Sequence, residues 1–157
     1  MHAHTDDIDR IMSVMECAFP PEYGEAWNRR QVSDALVVGN CRYGLIGPDG
    51  NHNLQPGTVT AGFFLGRSIL DEEEILLFAI APQYRRQGLA NQLLTRFIEQ
   101  SRAHGMARIF LEMRRDNPAG SLYAAHGFRE IGVRPAYYRT SAGNRIDAIS
   151  QELVLRD

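Results

Sequence analysis

The sequence has few cysteines, no long apolar run and almost no net charge. Its two cysteines, Cys17 and Cys41, lie far apart, which is typical of free thiols in a reducing compartment. No apolar run approaches the ~18 residues that a membrane-spanning helix needs. The polar N-terminus also lacks the features of a signal peptide. We therefore expect a cytoplasmic protein without a membrane partner.

Net charge and size narrow the class of protein further. A formal net charge of −2 gives no argument for nucleic-acid binding, so we expect no direct nucleic-acid partner. The chain has 157 residues, of which 44% are hydrophobic and 23% charged, as is typical of a soluble globular protein. No repeat, low-complexity tract or linker divides it. We expect a single domain over residues 1–157.

Hydrophobic periodicity predicts elements in the order ααβββαβαββ. Three meandering strands followed by βα units indicate an α/β fold, with a mixed sheet and helices on both faces. Helices are predicted over 5–19, 27–37, 89–104 and 118–126, the last of them capped by Asn117. Strands are predicted over 41–46, 59–65, 75–80, 107–113, 128–133 and 146–155.

The central stretch, residues 72–103, joins a buried strand, a short basic loop and an amphipathic helix that opens at Gly88. A helix start leaves several backbone N–H groups unpaired. Together with the helix dipole and with Arg85 and Arg86, these donors favour a phosphorylated ligand. The alternative is an ordinary strand–loop–helix unit with a solvated basic loop.

The loop motif Arg85-Arg86-Gln87-Gly88-Leu89-Ala90 resembles the Arg/Gln-x-x-Gly-x-Gly/Ala signature of the GNAT family of N-acetyltransferases. In that family the motif holds the pyrophosphate of acetyl-CoA, which enters between two splayed strands. The resemblance implies acetyl-CoA as co-substrate. The cofactor-binding residues that it implies are Phe78, Ala79, Ile80, Arg85, Arg86, Gln87, Gly88, Leu89, Ala90, Asn91 and Asn117.

A bulged strand precedes this loop in the family, and residues 75–82 resemble it. We expect the bulge to free backbone N–H groups around Phe78–Ile80, which could then polarise a thioester carbonyl. The five histidines show no metal-ligand spacing, so we expect no metal.

Two further segments resemble the ribosomal-protein alanine N-acetyltransferase (RimI-type) branch of this family. Residues 110–114 resemble the strand whose glutamate is the general base, which implies that role for Glu112. Residues 122–128 resemble Leu-Tyr-x-x-x-Gly-Phe, whose tyrosine protonates the departing thiolate, which implies that role for Tyr123. From the residues alone, Glu112 could instead pair with a neighbouring arginine, and Tyr123 could simply pack against the sheet.

Aromatic and basic residues near both ends resemble the acceptor side of the same branch. Trp27 matches its front segment, and Arg134, Tyr137 and Tyr138 match its C-terminal hairpin, which implies that these four residues bind the acceptor. The alternative is an aromatic-rich edge of the core. An insertion at residues 22–26 reshapes the loop before Trp27.

The resemblance implies direct transfer of an acetyl group to an amine, with a protein N-terminus, such as that of a ribosomal protein, as the first choice. Two alternatives stay open. One is an enzyme of the same fold that acetylates a small-molecule amine, and the other is a non-catalytic acyl-CoA-binding module.

Overall fold

The computed structural model describes residues 2–156, with side chains from Asp7 onward. The predicted order of elements is confirmed, and short 3-10 turns at Pro21–Tyr23 and Pro82–Tyr84 follow α1 and β3. Within the described residues, no helix combines the length and apolarity needed to cross a bilayer. The elements are α1 (His2–Ala18), α2 (Arg29–Val38), β1 (Cys41–Ile46), β2 (Gly62–Ile69), β3 (Glu72–Ile80), α3 (Leu89–Ala103), β4 (Arg108–Arg114), α4 (Gly120–Ala125), β5 (Arg129–Arg139) and β6 (Arg145–Val154).

One mixed six-stranded sheet carries all of these strands, in the order β1-β2-β3-β4-β6-β5. Every neighbouring pair is antiparallel except β3 and β4. These two parallel strands pair only where Glu72–Ile75 faces Arg108–Leu111. Beyond that point β3 pairs with β2 and β4 with β6, so a gap opens between β3 and β4. The splayed sheet is therefore confirmed.

The helices cover both faces of the sheet, over two separate core clusters. Phe63 packs with α1 and α2, whereas the adjacent Phe64 packs with α3. This division follows from the alternation of side chains along β2. Both phenylalanines are 0% exposed, and burial of such a side chain stabilises a fold by ~1.5–3 kcal/mol.

A buried ion pair holds α3 against the sheet. The Glu73 side chain on β3 is 0% exposed, and it accepts hydrogen bonds from Arg42 Nε at 3.0 Å and from Ser101 Oγ at 2.9 Å. Burial alone would raise the pKa of Glu73. The hydrogen bonds and charge of Arg42, with the hydrogen bonds of Ser101 and Ser68, outweigh it and lower that pKa. The pair joins β1, β3 and α3 into one rigid unit.

Several element boundaries differ from the sequence prediction: β2 is Gly62–Ile69 rather than 59–65, β3 begins at Glu72 rather than Ile75, and α4 and β5 differ near the cleft. Helix α4 begins at Gly120 rather than Pro118, with Ala119 as its N-cap. Asn117 instead closes the preceding turn, because its Oδ1 accepts a hydrogen bond from the Ala119 N–H at 2.9 Å. Strand β5 continues to Arg139, past the predicted end at Val133. It tolerates a proline because it lies at the edge of the sheet.

Candidate active site

The gap between β3 and β4 holds two adjoining cavities. The first, here called the Glu112 cavity, has a volume of about 280 Å³. The second, the Arg85 cavity, has a volume of about 340 Å³ and extends toward the start of α3. Four residues line both cavities, namely Phe19, Glu25, Phe78 and Asn117. The gap thus forms one continuous cleft.

Glu112 places a carboxylate in the first cavity. It lies on β4 just beyond the last residue that pairs with β3, so only β6 flanks it there. Its side chain is 25% exposed, and its Oε2 lies 3.2 Å from Nε of Arg134. The arginine that it pairs with therefore comes from β5. Position and access make this carboxylate a possible proton acceptor for a bound amine.

Three aromatic residues, Trp27, Tyr137 and Tyr138, line the same cavity. The two tyrosine rings meet edge to face, with centroids 5.2 Å apart. Burial, together with the nearby charges of Glu112 and Glu25, raises the pKa of Tyr138 to about 12. The structure therefore brings these three predicted acceptor-side residues together around Glu112. Arg134 lies beside them through its ion pair with Glu112, and its guanidinium carbon lies 5.2 Å from the centroid of the Tyr137 ring.

Tyr123 lines the Glu112 cavity from α4. It is only 5% exposed, and its ring packs 6.1 Å from Phe78 and 5.6 Å from Phe128, centroid to centroid. Burial raises the pKa of its hydroxyl. A raised pKa keeps the phenol protonated, so that it can donate to a sulfur that becomes negative in the site. Packing against the core and a role as a proton donor are therefore compatible.

The expected bulge is present in β3, but it is not what frees the N–H groups around Phe78–Ile80. Leu65 pairs with Leu77 and Gly66 with Ile75, so the extra residue is Leu76, and pairing with β2 is regular from Phe78 to Ile80. The Ile80 carbonyl nevertheless accepts from Arg85 Nε at 2.9 Å, and so points away from β2. Alternation then turns the N–H groups of Phe78 and Ile80 toward the gap. These donors are free because β4 diverges, not because of the bulge.

The predicted phosphate loop lies at the far end of the cleft. Arg86 and Gly88 have positive φ angles of 62° and 82°, which wind the loop tightly before α3. The first hydrogen bond of the helix runs from the Gln92 N–H to the Gly88 carbonyl at 3.1 Å. The N–H groups of Leu89, Ala90 and Asn91 therefore have no acceptor within the helix. Such a row of donors at a helix N-terminus suits a phosphate group.

Within this loop the two arginines differ. Arg85 donates to the Ile80 carbonyl and, through Nη2, to the Ala18 carbonyl at 2.9 Å, so its guanidinium ties the loop to β3 and α1. Arg86 and Gln87 are exposed at the turn. The Leu89 side chain is buried in the core. Leu89 can therefore offer a ligand only its backbone.

The sequence analysis gave no functional role to Glu25 or Arg114. Glu25 lines both cavities, and its Oε1 lies 3.0 Å from Nε of the buried Arg114. Arg114 follows Glu112 by two positions on the same face of β4, as the alternation of side chains predicts. Its partner, 89 residues earlier in the chain, gave no sequence signal. His126 was likewise given no functional role, and its Nε2 lies 2.7 Å from Asn91 Oδ1.

These features fit a long thioester ligand with a diphosphate. The cleft begins beside the Glu112 carboxylate and the buried Tyr123 phenol. It then runs along the gap-facing N–H groups of β3 and reaches the free N–H groups at the start of α3. Among the described residues, no group of three His, Cys, Asp or Glu side chains is arranged to hold a metal ion.

Comparisons with known proteins agree with this geometry. Residues 8–128 match the Acetyltransferase (GNAT) family. The chain is 38% identical over 104 residues to the [Ribosomal protein bS18]-alanine N-acetyltransferase of Escherichia coli strain K12, over 66% of this chain and 70% of the relative.

Solved structures give the same result. The crystal structure of the ribosomal-protein-S18-alanine N-acetyltransferase from Escherichia coli has a TM-score of 0.79 and 29% identity, and the match covers 98% of this chain and 90% of the other. A Salmonella typhimurium structure with its cofactor acetyl-CoA has a TM-score of 0.57 and 23% identity, over 63% and 60% of the two chains. The second likeness shows the fold alone. The chain therefore belongs to the acetyltransferase (GNAT) family and is an acetyl-CoA-dependent N-acetyltransferase.

Proposed function

We propose that the chain acetylates the N-terminal α-amine of a protein, with an N-terminal alanine of a ribosomal protein as the first-choice acceptor. The observation that carries this proposal is the Glu112 cavity, where a carboxylate lies among Trp27, Tyr137 and Tyr138. The partly open aromatic wall suits the first residues of a peptide. The names of the Escherichia coli relatives support the same acceptor class.

On this proposal, Glu112 and Tyr123 manage the two protons of the reaction. An α-amino group has a pKa of about 8, so a carboxylate within reach, directly or through a water, can take its proton near neutral pH. The amine nitrogen then forms a bond to the thioester carbonyl carbon, and the carbon–sulfur bond breaks. Tyr123 gives its proton to the departing sulfur, and the second proton that the nitrogen loses on becoming an amide returns through water to the Tyr123 oxygen. No acyl group is carried by Cys17 or Cys41.

The backbone holds the donor in this proposal. The gap-facing N–H groups of Phe78 and Ile80 polarise the thioester carbonyl. The N–H groups from Gly88 to Asn91, with Arg86 and Gln87 beside them, bind the diphosphate. Arg85 acts by fixing the loop, and Asn117, which borders both cavities, contacts the ligand between its two ends. Acetyl-CoA supplies the acetyl thioester when bound.

We also propose that residues 1–157 act as one catalytic domain in the cytoplasm. One sheet carries every strand of the described chain, which supports a single domain. Cys17 and Cys41 are free thiols, which suits a reducing compartment.

One assay tests the acceptor. Purified protein is incubated with acetyl-CoA and with either peptides that begin with alanine or a panel of small amines, and thiol release is measured. Mass spectrometry then locates the acetyl group. The sequence has no lysine, so the only amine of the enzyme itself is its N-terminus and the background is low. We expect α-amine acetylation of alanine peptides.

Two results would contradict the proposal. Turnover of small amines without turnover of any peptide would favour a small-molecule N-acetyltransferase. Binding of acetyl-CoA without turnover of any acceptor would indicate a binding module.

A further inference from the structure

Glu25 lies at the junction of the two cavities but has no part in the function proposed above. It belongs to the segment between α1 and α2, and its side chain is 16% exposed. It lines the Glu112 cavity together with Glu112 and Tyr138, and it also lines the Arg85 cavity. An amine in the Glu112 cavity that attacks a thioester held in the Arg85 cavity would therefore lie near this carboxylate.

The position of Glu25 is fixed by the buried Arg114. The Arg114 side chain is 7% exposed, and its Nε lies 3.0 Å from Glu25 Oε1 while its Nη1 lies 2.5 Å from Asp116 Oδ1. The guanidinium carbon also lies 3.6 Å from the centre of the Tyr23 ring. Two carboxylates and a ring face therefore surround one cation. Since Asp116 already balances its charge, Arg114 does not need Glu25 for neutrality, and the group carries an excess negative charge.

That excess charge faces the Glu112 cavity. Within the described part of the chain, Arg114 engages Oε1 of Glu25, and no hydrogen bond reaches Oε2. Glu112 is balanced by Arg134, but this arginine has a 63% exposed side chain and can move aside. The charges of Glu25 and Glu112 both act at the Tyr138 hydroxyl, whose pKa they raise together with burial. The cavity therefore contains two carboxylates, each paired with an arginine. Only Arg134 is exposed enough to move aside for an ammonium group.

We propose that Glu25 binds the acceptor amine through Oε2 and makes the site selective for an acceptor that arrives as a positively charged ammonium group. This inference rests on the proposed function and names the residue that selects its substrate class. An ammonium group has three N–H donors. One can bond to Glu25 while Glu112 removes a proton, so the nitrogen stays oriented as it becomes neutral. The N-acetylated product has no positive charge, and its release is therefore favoured.

Glu25→Gln tests the inference, because glutamine keeps an oxygen for Arg114 but removes the charge. Binding is measured by calorimetry with coenzyme A present, so that no turnover occurs. Two ligands are compared: a peptide that begins with alanine, and the same peptide acetylated at its α-amine. We expect Glu25→Gln to weaken binding of the free-amine peptide about tenfold or more and to leave the acetylated peptide unchanged. KM should rise with little change in kcat.

The matched control is Glu22→Gln, a charge removal at an exposed position of the same segment. It should leave both affinities unchanged. An equal loss for the two peptides in Glu25→Gln, or a parallel fall in melting temperature and acetyl-CoA affinity, would show that Glu25 only fixes the segment and would overturn the inference.

Failure of the proposed function gives a different result. If the wild-type enzyme turns over a small amine and no peptide, the same comparison is made with that amine and its acetylated form. A Glu25-dependent difference would then support the inference without the peptide acceptor. The inference would be overturned if the wild-type enzyme bound neither the free peptide nor the free small amine more tightly than the acetylated form of the same molecule.

Discussion

The two walls of the cleft are built in different ways. The wall that we propose holds the cofactor, here called the cofactor wall, consists of β3, the loop after it and α3, which are consecutive in the chain, and it offers mainly backbone N–H groups. The wall that we propose receives the acceptor, here called the acceptor wall, combines the segment before α2, the end of β4 and the β5–β6 hairpin, and it offers side chains. Its main tie, between Glu25 and Arg114, joins residues 89 positions apart. One wall is a local motif, and the other exists only in the folded chain.

Each wall contains an arginine–glutamate pair with one largely buried partner, Glu73–Arg42 in one and Glu25–Arg114 in the other, and these two pairs differ in access. Glu73 is 0% exposed, and both of its carboxylate oxygens accept hydrogen bonds from Arg42. Glu25 is 16% exposed beside a cavity and uses only one oxygen for Arg114. Glu73 has no surface left for a ligand, whereas Glu25 does. A buried ion pair thus indicates a ligand site only where a partner atom remains free.

The largest expected effect comes from the acceptor wall. In Glu112→Gln the shape of the side chain is kept and the proton acceptor is lost, so kcat should fall by about 10²–10⁴-fold. The loss should be partly relieved above pH ~8, where more of the α-amine is already neutral. Acetyl-CoA affinity should stay near that of the wild type. An unchanged kcat in this variant would show that Glu112 takes no part in the chemical step.

Tyr123→Phe tests the proposed proton donor, which comes from α4 and faces the same cavity as Glu112. The change removes the phenolic proton but keeps the ring contacts with Phe78 and Phe128. We expect kcat to fall about 10²-fold with an unchanged melting temperature. In contrast to Glu112→Gln, higher pH should not restore activity, because the missing proton belongs to the donor side. A fall in melting temperature, with activity and cofactor affinity lost together, would indicate that Tyr123 only packs.

The contrast between the walls explains how far the sequence prediction reached. The order of elements was predicted from the hydrophobic pattern, and the splayed sheet was predicted from the family resemblance that a local motif carries. The phosphate loop and Gly88 also lie within one short stretch. The Glu25–Arg114 pair depends on chain geometry, which no local pattern encodes. The effect of the bulge on Phe78–Ile80 was predicted wrongly, because its position at Leu76 depends on the register between β2 and β3, which pairing across two strands sets.

Two glycines allow a matched test of the cofactor wall. Gly88 and Gly57 both have φ of +82°, and a Cβ on either would meet nothing within 4 Å. Alanine at either position costs ~1–2 kcal/mol of backbone strain. The melting temperatures of both variants should therefore fall by a similar amount. Only Gly88→Ala should weaken acetyl-CoA binding, about tenfold, since it disturbs the N–H groups at the start of α3. Equal acetyl-CoA affinity in the two variants would show that the diphosphate binds elsewhere.

The smallest effect is expected for Arg134→Gln. Arg134 pairs with Glu112 at 3.2 Å through a side chain that is 63% exposed, and exposed pairs contribute at most ~1 kcal/mol. The melting temperature should therefore shift by less than about 4 °C. Arg134 and an ammonium group compete for the same carboxylate, so KM for the acceptor should fall, by no more than about fivefold. Added salt should reduce this difference, because it screens the pair. A tenfold rise in KM would instead show that Arg134 holds the acceptor directly, and the acceptor wall would then attract its substrate through more than its carboxylates.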